Sequence, residues 1–225
     1  MKNKKENDIY SVKEELFKEI EQNEHTVFRK PIPLNMVIHT YDIHDSELIK
    51  FLRHYGIDHE KVSLYIHQAL IKHENKTLPA VAFDNDECGF ILINRNFKGY
   101  SVSESITTLF TSGSTLDLFE DFMDFVAALS FYRKRVISNQ TIVLNSLKNL
   151  DDRFIINLAK KYKTINLYLK NSDEGKRAAM RIIKIHPKAI NRSALIYPGH
   201  TDFLSYMELQ TAKKRKRRNP DIARK

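Results

Sequence analysis

From Thr115 onward the sequence alternates short apolar runs with amphipathic stretches of roughly a dozen residues, an order that few folds accommodate. Leu116–Phe119 reads as a strand, and Phe122–Arg133 as a helix turning Phe122, Phe125, Val126 and Leu129 inward. Thr141–Leu144 reads as a strand and Asp151–Tyr162 as a helix packing Phe154, Ile155, Leu158 and Tyr162. Ile165–Leu169 is a third strand, followed by a helix over Asp173–Lys184 built on Ala178, Ala179, Ile182 and Ile183. A strand over Ser193–Tyr197 and a last helix from about Asp202 complete the series. Strands separated by helices of this length imply βαβ units, hence an α/β fold with a mainly parallel sheet flanked by helices.

The chain ahead of Thr115 follows a different pattern. Ile9, Val12, Leu16 and Ile20 stand at helical spacing, so residues 1–30 read as a helical extension that Pro31 and Pro33 close off. A helix is expected over Asp45–Tyr55, with Gly56 just past its end. Asp58 is placed to cap another, with Val62, Tyr65, Ile66 and Ala69 as its buried stripe. Leu78–Phe83 and Phe90–Asn94 flank a polar turn ending in Gly89, which predicts a hairpin. The expected organisation is a small α+β region over 31–110, an α/β domain over 111–212 and a basic tail over 213–225.

Charge separates the tail from the body. Of the net charge of +9 over 225 residues, eight cations and one anion place +7 in residues 213–225, leaving +2 for residues 1–212. The run Lys213, Lys214, Arg215, Lys216, Arg217, Arg218 has the electrostatic character of a nucleic-acid contact, although a solubilising tail would look the same. No apolar run is long enough for a transmembrane helix, and no apolar leader follows Met1, so a cytoplasmic location is expected. Cys88, the only cysteine, excludes an intramolecular disulfide and any zinc site with two cysteine ligands. The nine histidines lack metal-ligand spacing, and neither a Walker A loop nor a nucleophile elbow occurs. Phe97, Tyr100 and Tyr132 are candidate stacking platforms for single strands.

In a parallel sheet, functional groups gather past the carboxyl ends of strands. Two such places carry a resemblance. Leu118-Phe119-Glu120-Asp121-Phe122-Met123-Asp124 is similar to the first motif of Toprim domains, the metal-dependent core of bacterial primases and topoisomerases. Glu120 takes the position of the family's Glu and Asp124 that of an Asp in the following helix, while Asp121 stands where Gly is usual. Lys170-Asn171-Ser172-Asp173-Glu174-Gly175 resembles the second motif, with Lys170 and Ser172 where the family has the Asp-x-Asp pair that holds magnesium. Phe83–Asp86 with Gly89-Phe90, Asn94–Gly99, Val143–Ser146 and Tyr197–Asp202 extend the resemblance to primase-like proteins of bacterial mobile elements. Members of that group often carry an N-terminal zinc-binding domain with Cys and His ligands, for which a single cysteine is too few.

The resemblance implies a Toprim frame with an altered site. Magnesium favours carboxylate and phosphate oxygens, and Lys170 puts an ammonium where a carboxylate would stand. Ser172, Asp173 and Glu174 are equally a helix cap and two acids complementing the helix dipole. Lys170 either pairs with Glu120 or, with Lys176 and Arg177, grips a phosphate directly. Glu120 is the candidate catalytic residue if any chemistry persists, and a solvated strand-end acid otherwise. The expected function is DNA binding, single strands included, as an accessory to replication or mobilisation proteins, with little or no catalysis and no cofactor. The alternatives are a magnesium-dependent primase or nuclease using Glu120 with Asp173 and Glu174, and a module that binds RNA or protein.

Overall fold

The computed structural model describes residues 31–32, 37–73 and 76–218. The helix expected over 9–22 lies outside the described residues. The first unit contains β1 (Pro31–Ile32), β2 (Val37–Tyr41), α1 (Ser46–His54), β3 (His67–His73), β4 (Lys76–Asp84), β5 (Phe90–Ile93) and β6 (Lys98–Ser101). Its strands form one sheet in the order β1-β6-β5-β4-β3-β2, antiparallel except where β1 meets β6. Helix α1 begins where Asp45 accepts the backbone N–H groups of Glu47 and Leu48. It ends before Gly56, whose φ of 73° suits the residue past a helix terminus.

The helix expected from Asp58 does not form. Residues 58–65 are turns around the buried Val62, and Ala69 lies on β3. The backbone of β3 pairs with β2 on one side and β4 on the other, and sheet pairing overrides a local helical spacing.

The second unit follows the expected alternation. It comprises β7 (Thr107–Leu109), β8 (Thr115–Phe119), α2 (Phe122–Phe131), β9 (Gln140–Val143), α3 (Asp152–Lys161), β10 (Thr164–Tyr168), α4 (Asp173–Ile185), β11 (Ala189–Asn191), α5 (Arg192–Ile196) and α6 (Phe203–Arg218). The sheet order is β11-β10-β8-β9-β7, with β7 alone antiparallel. The stretch Ser193–Tyr197, expected as a strand, is mostly α5. Ser193 and Tyr197 are buried four residues apart and their hydroxyls lie 2.8 Å from each other, a helical spacing, while Ala194 and Leu195 are exposed.

One face of this sheet, through Leu116, Leu118, Ile142, Ile165 and Leu167, packs on α3 and α4. The other, through Phe119, Val143 and Tyr168, packs on α2 and α6. Every residue of α2 from Phe122 to Leu129 is buried, as expected of a helix apolar all round and enclosed on all sides. The core around α2 is continuous with Leu48, Phe51 and Leu52 of α1 and with Val81, Phe83 and Ile91 of the first sheet. The Phe83 and Phe122 rings stack at 5.3 Å across that junction. Helix α6 closes it, placing Phe203 against Phe131 and Glu208 2.7 Å from His54 of α1.

Candidate functional site

Parallel pairing of β8 with β10 brings their carboxyl ends together, since Phe119 lies opposite Tyr168. Glu120 and Lys170 emerge from neighbouring strands. The Lys170 backbone N–H donates to Glu120 Oε2 at 2.9 Å, and the Glu120 N–H to the Tyr168 carbonyl at 3.3 Å. The residue after Glu120 caps α2, where Asp121 Oδ1 accepts the Met123 N–H at 2.9 Å. Asp121 Oδ2 accepts from the ammonium of Lys98, which reaches it from β6 of the first sheet. Asp124 is 2% exposed, with Oδ1 accepting the Leu204 N–H at the start of α6 and Oδ2 lacking a partner. The sequence places Asp124 on the polar side of its helix. The structure corrects this, because a helix between two sheets has no polar side.

Lys170 lies in the electrostatic field of four acids, and its backbone N–H bonds to one of them, Glu120. Its desolvation is outweighed by Asp121, Asp124, Glu120 and Asp202, which hold the ammonium above its ordinary range. Burial raises the Glu120 carboxyl despite the Lys170 N–H and charge. Burial also acts to raise Asp121, but Lys98 and Lys170 prevail and bring it down to about 2. Asp124 is pushed well above its ordinary value, first by burial and then by Asp202 and Asp121. Ionised Asp121 caps α2 and protonation-prone Asp124 follows three residues later, so that with Glu120 three carboxyls share the field of Lys170.

The second motif serves as a helix start. Ser172 accepts the Gly175 N–H at 3.2 Å, and Asp173 and Glu174 lie exposed in the first turn of α4. Gly175 is required by proximity, because a Cβ there would lie 2.1 Å from the Lys170 carbonyl oxygen. Asn171 ties the loop before α6 to this turn, donating to the carbonyls of Tyr197 and His200 at 3.0 and 2.9 Å. Lys176 and Arg177 are exposed on α4, whereas Lys170 is half-buried among the acids.

An implied magnesium ion can be tested against this arrangement. Lys98 is bonded to Asp121 and Lys170 lies in the field of all four acids. Two unit charges of like sign about 4 Å apart repel by roughly 4 kcal/mol at an effective dielectric of about 20. Among the described residues, no group of three or more His, Cys, Asp and Glu is arranged to hold a metal ion. The residues present do not fit magnesium.

The basic run is the end of α6, which continues to Arg218, with residues 219–225 outside the described part. Lys213, Lys214, Arg215 and Arg217 are exposed, and Arg215 donates to the Arg53 carbonyl at 2.8 Å. Cations in a last turn also complement the helix dipole. Sequence reasoning missed Lys98 and Asp202 as members of the acid cluster. Nothing local marks Lys98, whereas one acid inside the apolar run Phe122–Leu129 was a readable sign for Asp124.

These features define an α/β domain with a Toprim-like fold, preceded by an antiparallel sheet. Residues 118–207 match the family model described as Toprim-like, and residues 37–102 match a domain of unknown function (DUF8464). Among solved structures, the chain is similar to the primase fragment of the bacteriophage T7 primase-helicase protein. The TM-score is 0.52 at 11% identity, over 80% of this chain and 78% of that one. A search of curated proteins finds no match. No described helix is long and apolar enough to cross a membrane.

Proposed function

We propose that this is a nucleic-acid-binding protein of primase-like descent in which a built-in cation has replaced the metal. Its task is to hold DNA, single strands included, as an accessory to replication or mobilisation of a mobile element, with little or no catalysis of its own. The observation that carries this reading is Lys170 beside Glu120 at the adjoining strand end, its backbone N–H donating to the carboxylate at 2.9 Å and its charge in the field of Glu120, Asp121, Asp124 and Asp202. A second cation, Lys98, is already bonded to Asp121. Carboxylates so neutralised have little charge left for a divalent ion.

Calorimetric titration with magnesium and manganese tests the reading on wild type beside the Lys170→Asp/Ser172→Asp double variant. Binding by the variant and not by wild type is the expected outcome. Metal binding by wild type that Glu120→Gln abolishes would overturn it in favour of a magnesium-dependent primase or nuclease. One observation favours that second reading: burial raises the Glu120 carboxyl above its ordinary value, the direction a proton-transferring acid requires.

Affinity for DNA is expected to come from the basic end of α6. Each cation that meets a phosphate adds about 0.9 to the slope of log affinity against log salt, so replacing the six basic residues by Gln lowers that slope by up to about 5. Equal slopes for the two proteins would remove the tail from the binding surface. RNA and acidic polymers as competitors distinguish DNA preference from a module for RNA or protein.

A further inference from the structure

A sheet covered on both faces is expected to be apolar through its centre, yet a polar row crosses one face of β8, β9 and β10. Asn166, Asp117 and Thr141 stand side by side in register, on the face opposite the apolar Leu116, Ile142 and Ile165. The row is ordered by its own hydrogen bonds. Asn166 Nδ2 donates to Asp117 Oδ1 at 2.7 Å, Asn139 Nδ2 to Asp117 Oδ2 at 3.1 Å, and Arg192 Nε to Asn166 Oδ1 at 2.9 Å. Asn166 and Thr141 are buried and Asp117 partly so, and polar groups in such places are costly unless hydrogen-bonded.

Helix α2 ends at Phe131 and leaves this half of the face uncovered. A cavity of about 330 Å³ opens over the polar row, within the roughly 300–1,000 Å³ usual for small-molecule sites. Its wall toward the strand ends is aromatic: Phe119 and Tyr168 stack at 4.4 Å, and Tyr132 flanks them. Lys134 and Arg192 add positive charge to the lining. Arg133 and Arg135 flank Lys134 in the exposed segment from Phe131 to Val136, which carries three consecutive cations after two aromatic side chains.

We infer that this cavity is a nucleotide site, taking a base against the aromatic wall and its phosphate on the basic rim. The polar row explains how a base would be held. Each carboxylate oxygen of Asp117 accepts one hydrogen bond within the protein and keeps a further lone pair for an N–H on a base edge. An aromatic ring offers a face to any base, and an adjacent cation meets the charge that distinguishes a nucleotide from a nucleoside. The same chemistry serves a free mononucleotide or one base of a bound strand. Neither Lys170 nor the end of α6 lines the cavity, so this site and the proposed metal replacement can fail independently.

The probes are the four ribonucleoside monophosphates, their nucleosides and a single-stranded DNA pentamer, titrated into the full chain by calorimetry and amide NMR. At least one nucleotide or the pentamer is expected to bind better than about 1 mM. Tyr132→Ala and Asp117→Asn should each weaken it tenfold or more, while Lys160→Ala, exposed on α3 across the sheet, leaves it unchanged. Lys134→Ala, at an exposed position, should weaken the nucleotide and spare its nucleoside. Comparable affinity for mononucleotide and pentamer identifies a free nucleotide, and binding of the pentamer alone identifies a strand; either upholds the site. No binding by any probe, or binding indifferent to Tyr132→Ala, Asp117→Asn and Lys134→Ala alike, would overturn it.

Discussion

Lys98→Met is expected to cost about 3–5 kcal/mol of folding stability, the range found when one partner of a buried ion pair is removed. Lys98 and Asp121 are only 14% and 10% exposed, so the carboxylate left behind cannot recover its hydration. The pair also joins the two units, with Lys98 on the first sheet and Asp121 capping the central helix of the second domain. Adding Asp121→Asn should recover much of the loss, because Asn keeps the cap on α2 while removing the stranded charge. Denaturant unfolding of both single variants and the double variant closes the cycle. A loss below about 1 kcal/mol, the value of a solvated pair, would mean that the contact is not buried in solution.

Acid titration gives the same pair a second signature. Asp121 is depressed to about 2 from its ordinary 3.8, so its contribution is present above pH 3.8 and is lost as pH falls through about 2. The stability difference between wild type and Lys98→Met should therefore narrow across that window.

Asp124→Asn is expected to abolish the pH dependence of stability that the buried acid imposes. The folded carboxyl is raised well above its ordinary 3.8 by burial, Asp202 and Asp121, with Lys170 opposing them. Above pH 3.8 the unfolded chain has released this proton and the folded chain still holds it. Wild-type stability then falls as pH rises, by at most about 1.4 kcal/mol per pH unit, until the folded carboxyl also ionises. Asn lacks the proton and presents an oxygen to the Leu204 N–H as Asp124 does, so the variant should gain on wild type from pH 4 upward. Parallel stability profiles for the two proteins from pH 4 to 8 would show that the acid reaches water.

The outline of this fold was open to reading wherever local periodicity carries the information. Alternation from Thr115, the helix from about Asp45 and the glycine at 56 all rest on spacings within one or two turns of chain, and each corresponds to an observed element. The positions of Glu120 and Lys170 followed the same way, since a strand end is where its apolar run stops. Ser172 as a cap and Gly175 beside Lys170 also belong to this local grammar.

Contacts between segments distant in the chain decided the rest. His67–His73 became a strand because β2 and β4 flank it, against a helical spacing that placed Ala69 on a buried stripe. Asp124 became a buried acid because a second sheet and α6 cover the side of its helix that sequence assigned to water. Lys98 reaches Asp121 across 23 positions, and Asp117, Asn139 and Asn166 meet only after three strands align. The physical reason is that propensity and capping act between near neighbours, whereas burial and charge compensation depend on what the whole chain packs against each surface. Sequence by itself thus determined the alternation of strand and helix from Thr115 to α4 and the strand ends that form the site; tertiary structure alone decided which charges those ends would share.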